Sequence, residues 1–126
     1  MEAFSMSTVK VDTIQNSAGV EVFTAKVWVN FNGTGTVSIR ADGNVSSITD
    51  QGTGQYKVNF SSSLGDANYS ATGITNEVVT GNRSSGWCIR GTTNSLMLTS
   101  SIVLDVGSQS SGGAADHQVI TMNVAR

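Results

Sequence analysis

The sequence predicts an all-β fold, an antiparallel β-sandwich or jelly roll of about eight strands behind a short amino-terminal arm. Three observations predict it. Apolar and polar residues alternate in run after run, most strictly from Lys26 to Phe31, where Val27, Val29 and Phe31 share one face of a pleated ribbon and Lys26, Trp28 and Asn30 share the other. Turn words rich in Gly, Asn, Asp and Ser separate these runs at spacings of about 8–12 residues. The composition agrees, with 14 Gly, no Pro and only 6% aromatic residues. Thr and Val suit a pleated surface, and without proline the turns rely on glycine and asparagine.

Residues 1–19 read as an arm, with brief alternation at Val9-Lys-Val-Asp12 and a turn-forming close at Asn16-Ser-Ala-Gly19. The arm is too short to fold alone, so the body is placed at residues 20–126. Its strands are predicted near 20–31, 35–41, 45–49, 55–61, 68–79, 86–91, 95–106 and 117–125. Asn32-Gly33 marks the first hairpin, and the following Thr34-Gly35 allows a longer, bulged connection. Asp42-Gly-Asn44 turns the chain into the third strand. Across the turn at 50–54, Tyr56, Val58 and Phe60 again share one face. The long strands 68–79 and 95–106 are expected to bend at Gly73 and around Ser100 and Ser101. A strictly up-and-down chain gathers loops 32–34, 50–54, 80–86 and 107–116 at one pole, and the arm leaves from the other.

Formal charge is −2 with seven Lys and Arg scattered singly, the opposite of the clustered positive charge that phosphate binding requires, so no nucleic-acid partner is expected. No run approaches the ~20 apolar residues that span a bilayer, so no membrane insertion is expected. The amino end has neither the basic start nor the apolar run of a secretory signal, and synthesis and assembly in the cytoplasm are expected. Cys88 is the one cysteine, so the chain has no internal disulfide; between Trp87 and Ile89 it reads as a buried structural thiol, with Arg90 on its face of the strand.

Enzymatic chemistry is not expected. A hydrolase needs a positioned nucleophile, base or carboxylate pair, and the chain has one His and nine scattered acids. Asp42-Gly-Asn44 lacks the later ligands of a calcium loop, and the Gly-Thr-Gly words at 33–35 and 52–54 lack the Gly-Lys-Thr ending of a phosphate loop. No cofactor or metal site is therefore predicted. His117, beside Asp116, reads as a surface or interface histidine; only three copies around a threefold axis would supply a metal set. Trp28 lies opposite the apolar face of its strand, so it is either core in a strand buried on both sides or part of a subunit interface, and the size of the domain favours the interface. Trp87, Tyr69 and Tyr56 read as core or cross-strand aromatics rather than sugar platforms. From their place in the loops, Asn82, Arg83, Gln109, Asp116 and His117 are the candidate contact residues.

Four stretches carry a family resemblance: Lys26-Val-Trp-Val-Asn-Phe-Asn-Gly-Thr-Gly35, Asn44-Val-Ser-Ser-Ile-Thr-Asp50, Gly52-Thr-Gly-Gln-Tyr-Lys-Val-Asn-Phe60 and Asp66-Ala-Asn-Tyr-Ser-Ala71. They resemble a module of tailed-bacteriophage fibre and tail proteins, particularly those of marine and cyanobacterial phages. Val9-Lys-Val-Asp-Thr-Ile-Gln-Asn-Ser-Ala-Gly19 is similar to the stretch that opens such modules, and the closing Val119-Ile-Thr-Met-Asn-Val-Ala-Arg126 to their last strand. The resemblance covers about half the chain. It implies a virion structural protein, homotrimeric, joined to other virion proteins through residues 1–19, with loops facing a host cell-surface glycan or protein. A capsid decoration or head fibre protein is the alternative in the same class. A carbohydrate-binding module is the alternative outside it, and a depolymerase version needs carboxylates ~5–10 Å apart in a cleft.

Overall fold

In the strand that alternates most strictly, burial alternates with the sequence: β1 (Ala25–Asn32) buries Val27, Val29 and Phe31 and leaves Trp28 outside. The computed structural model describes residues 15, 17–19, 25–76, 84–85, 87–88, 97–107 and 113–126. The remaining strands are β2 (Ser38–Gly43), β3 (Val45–Gly52), β4 (Gln55–Phe60), β5 (Ser70–Thr72), β6 (Thr75–Asn76), β7 (Ser84–Ser85), β8 (Trp87–Cys88), β9 (Ser101–Val106) and β10 (Val119–Ala125). All pair antiparallel in two sheets. One has the order β2-β1-β10-β6-β7 with β5 also on β10, and the other has the order β3-β4-β9-β8. The fold is an all-β sandwich. Among the described residues no helix is long and apolar enough to cross a membrane.

The strand pattern departs from the sequence expectation in three places. The strand expected at 68–79 is split into β5 and β6, which hold one register on β10, with Thr72 opposite Asn123 and Thr75 opposite Ile120. The break falls at Gly73 and Ile74, the bend that glycine favours. Of the strand expected at 95–106, the described residues 97–106 form β9 alone: Met97 makes an isolated bridge to Ile102, and Leu98 N–H closes a turn on Ser101 O at 2.8 Å. Residues 84–85, expected within a turn, form β7 on β6. The arm, residues 1–19, lies almost wholly outside the described residues. Cys88 has its backbone in β8 opposite Asp105, and the burial expected of its thiol lies outside them too.

The core fills the space between the sheets. Val27, Val29, Phe31, Ile120, Met122 and Val124 face Tyr56, Val58, Ile102, Leu104 and Val106, each contributing about 1.5–3 kcal/mol if fully withdrawn from water. Phe31 and Tyr56 meet edge to face with centroids 5.2 Å apart. The described strands change sheet four times, at β2–β3, β4–β5, β7–β8 and β9–β10. Residues 61–69 cross at one end, where Tyr69 packs its ring on Phe60 and hydrogen-bonds Leu98 O at 3.1 Å. Gly107 and residues 113–118 lie at the other end, between β9 and β10.

The corner between β2 and β3 is made by Asn44, whose φ of 60° is tolerated by asparagine. Its amide donates to Lys26 O and Ser62 O and its Oδ1 accepts from Ser62 N–H at 2.7 Å, tying the corner to the 61–69 crossing. β1 starts at this pole.

Candidate contact surface at the loop pole

Gly33 follows β1, Gly54 precedes β4, and Asp116 and His117 precede β10. The antiparallel order brings these three positions to one end, and hydrogen bonds lock them together. Tyr56, inward-facing at the start of β4, rises from the core and points its hydroxyl at Gly33 O (2.9 Å) and Asp116 Oδ1 (2.6 Å). The same Oδ1 accepts Gly54 N–H at 2.7 Å. Gly33 N–H donates to His117 O at 2.9 Å, Val106 N–H to Gly54 O at 2.7 Å, and Ala115 N–H to Val106 O at 3.1 Å.

Glycine is required at both turns, for different reasons. A Cβ on Gly33 would stand 2.5 Å from the Tyr56 hydroxyl, so any side chain there must displace the phenol. Gly54 has φ of +69°, and its Cβ would press on Ala115 N at 2.8 Å. Burial, and then the hydrogen bond to Asp116, holds the Tyr56 phenol well above its ordinary value. It remains a donor at neutral pH, and Asp116 Oδ1 accepts from two donors.

Sequence reasoning placed Asp116 and His117 at this pole, and both are there. Asp116 is exposed, with its carboxylate turned to the latch. The surface position expected of His117 is corrected: the ring is 2% exposed, and among the described residues neither ring nitrogen has a hydrogen-bond partner. The cause is the crossing itself, which folds His117 under the end of the sandwich where a simple loop would have left it outside. Asn82, Arg83 and Gln109 lie outside the described residues. The neighbouring β7 and β8 do reach this pole, with Ser85 opposite Thr75 and Trp87 opposite Val106.

Trp28 stands 40% exposed on the outer face of the first sheet, its indole laid across Gly43 of β2. Tyr56 and Tyr69 belong to the core; the side chain of Trp87 lies outside the described residues. No group of three or more His, Cys, Asp or Glu side chains gathers among the described residues. The Tyr56–Asp116 latch was missed by sequence reasoning, for which the glycines at 33 and 54 were the one local signal. No protein-family model matches this chain, and no curated protein or solved structure matches it.

Proposed function

We propose that this protein is a structural component of a bacteriophage virion, a tail-fibre-like module joined to the particle by residues 1–19 and presenting its far loops to a host surface. The observation that carries the reading is the polarity of the body. β1 enters at the pole of Asn44 and the 61–69 crossing, and the loops at 33–37, 52–54 and 113–116 converge at the other, held by the Tyr56 latch. A body whose first strand enters at one end and whose loops gather at the other suits attachment at one end and contact at the other. The stretches resembling phage fibre modules support the same reading.

In this reading the protein is a non-enzymatic homotrimer of the virion, with Asn82, Arg83 and Gln109 in the contact loops. Mass spectrometry and immunogold labelling of purified particles test it first: absence from the particle overturns it. Position on tail or capsid separates a tail-fibre module from a decoration or head fibre protein. Light scattering then reads the trimer, and a monomer mass at micromolar concentration removes it. Deleting residues 1–19 should abolish incorporation while the β-type circular dichroism persists. Replacing Asn82, Arg83 and Gln109 with Ala should weaken binding to host cells with stability changed by no more than ~0.5 kcal/mol; unchanged binding would favour the decoration role.

A further inference from the structure

The outer face of the β2-β1-β10 sheet carries one large aromatic in a polar setting. Trp28 is paired with Gly43 on one side and with Asn123 on the other. A side chain at 43 would collide with the indole, so glycine lets the ring lie flat against the strand. One pair further along, Asn30 and Ala41 are opposite each other, and Ala41 adds little height. The register of β2 then slips between the Asn30 and Phe31 pairs, and this irregularity includes Arg40. Its Nη1 reaches across to Asn30 Oδ1 at 3.3 Å, on the face that bears Trp28. Lys26, exposed two residues before Trp28, stands at the other end of the platform.

Charge on this face is one-sided. The chain is net negative, yet the face has Lys26 and Arg40 and, among the described residues, no acid. Asp42 shares the inner side with Val29 and accepts Val45 N–H, Asp50 accepts Gly52 N–H, Asp66 is bound to Arg126, Asp116 is in the latch, and Asp105 belongs to the second sheet.

We propose that Trp28, Lys26, Arg40, Asn30 and Asn123 form a binding platform for an acidic saccharide, a chain containing hexuronate residues. The indole takes the C–H face of a pyranose. The two amides exchange hydrogen bonds with ring hydroxyls, and Arg40, with one N–H on Asn30, turns the rest of its fork to the carboxylate. A second copy of this chain is the competing occupant, because Ile74, 70% exposed beside Thr121 of β10, adds an apolar group to the same sheet; the paired amides and the two cations around Trp28 favour the saccharide. This assignment moves Trp28 out of the subunit interface expected for it. It holds whether or not the protein belongs to a virion.

The test is calorimetry of the full chain with oligogalacturonate, oligomannuronate and oligoguluronate, against their methyl esters as uncharged counterparts. At least one acid oligomer should bind, with affinity falling as salt rises, and its ester should bind at least tenfold more weakly. Trp28→Ala should lose at least tenfold, and Trp28→Phe, which keeps a ring over Gly43 and guards against misfolding, should retain part of the affinity. Lys26→Gln with Arg40→Gln should weaken the acid oligomer severalfold and flatten its salt dependence. No binding by any acid oligomer at millimolar concentration, equal binding of the ester, or a folded Trp28→Ala with unaltered affinity each overturns the proposal. A fall in assembled mass for Trp28→Ala does so too, by assigning the face to a subunit contact.

Discussion

The Tyr56 hydroxyl and Asp116 Oδ1, 60 positions apart in the chain, are joined at 2.6 Å. That bond fastens the crossing between β9 and β10 to the first residues of β4. Because Gly54 N–H shares the same oxygen and Gly33 O accepts from the same hydroxyl, three loops are held by one buried phenol and one carboxylate.

Removing either end of the latch should therefore loosen the pole without unfolding the sandwich. Hydrogen bonds to charged groups contribute ~1.5–3 kcal/mol, and the exposure of Asp116 lets water replace part of that, so Tyr56→Phe and Asp116→Ala should each cost about 1–2 kcal/mol. In urea unfolding the double variant should fall short of the sum of the singles by about 1 kcal/mol. Strict additivity would mean that the two side chains do not interact in solution.

The same phenol predicts an alkaline limit. Burial is the chief cause of the raised Tyr56 value, followed by Asp116, and burial also raises Tyr69. A phenol whose folded value exceeds its unfolded value of ~10 keeps its full contribution below that pH, and loses it as pH rises beyond. Melting temperature should fall above about pH 10, and the Tyr56→Phe, Tyr69→Phe double variant should show a flatter fall than the native chain. Parallel curves would assign the alkaline loss to other groups.

Period-two patterning gave away the hairpin strands and their inward faces, since Val27, Val29, Phe31, Tyr56, Val58 and Phe60 are each buried where alternation put them. Ladders between distant segments were illegible, because alternation names a face and never a partner: nothing local to Val119–Ala125 says that it lies between β1 and β5. The short β7 escaped for a related reason. Ser-Ser is a turn word by propensity, and only pairing with Thr75 and Asn76 makes it a strand. His117 failed on burial, since a polar residue after a Gly-rich loop reads as exposed until the crossing folds it inward. Trp28 was placed on the outer face correctly, but its rest across Gly43 and its nearness to Arg40 depend on register and a local slip in β2.

Glycine substitutions should separate close approach from backbone preference. Gly33→Ala drives a methyl against Tyr56 and, at 2.8 Å, against Ile120 Cδ1, an overpacking that should cost about 1–3 kcal/mol and weaken the latch. Gly35→Ala meets nothing within 4 Å but sits at φ of +61°, so about 1–2 kcal/mol of backbone strain is its whole cost. Tyr56→Phe should relieve Gly33→Ala in part and leave Gly35→Ala unaltered. Equal relief of both would place the strain in the turn itself.

His117 offers the sharpest distinction between a chain complete in itself and one that needs a partner at this pole. The ring is 2% exposed, and among the described residues neither nitrogen has a partner. A buried polar group without a partner opposes folding by about 1–3 kcal/mol, so an apolar side chain of similar volume should be tolerated or preferred. His117→Leu is therefore expected to melt at or slightly above the native temperature. His117→Ala leaves a cavity instead and should cost about 2 kcal/mol or more. If His117→Leu destabilises as much as His117→Ala, the imidazole has a partner in solution, and light scattering of the Leu variant identifies it. A drop in assembled mass marks a bond across a subunit contact. An unchanged mass marks a buried water, which then belongs to the latch between Gly33 and Asp116.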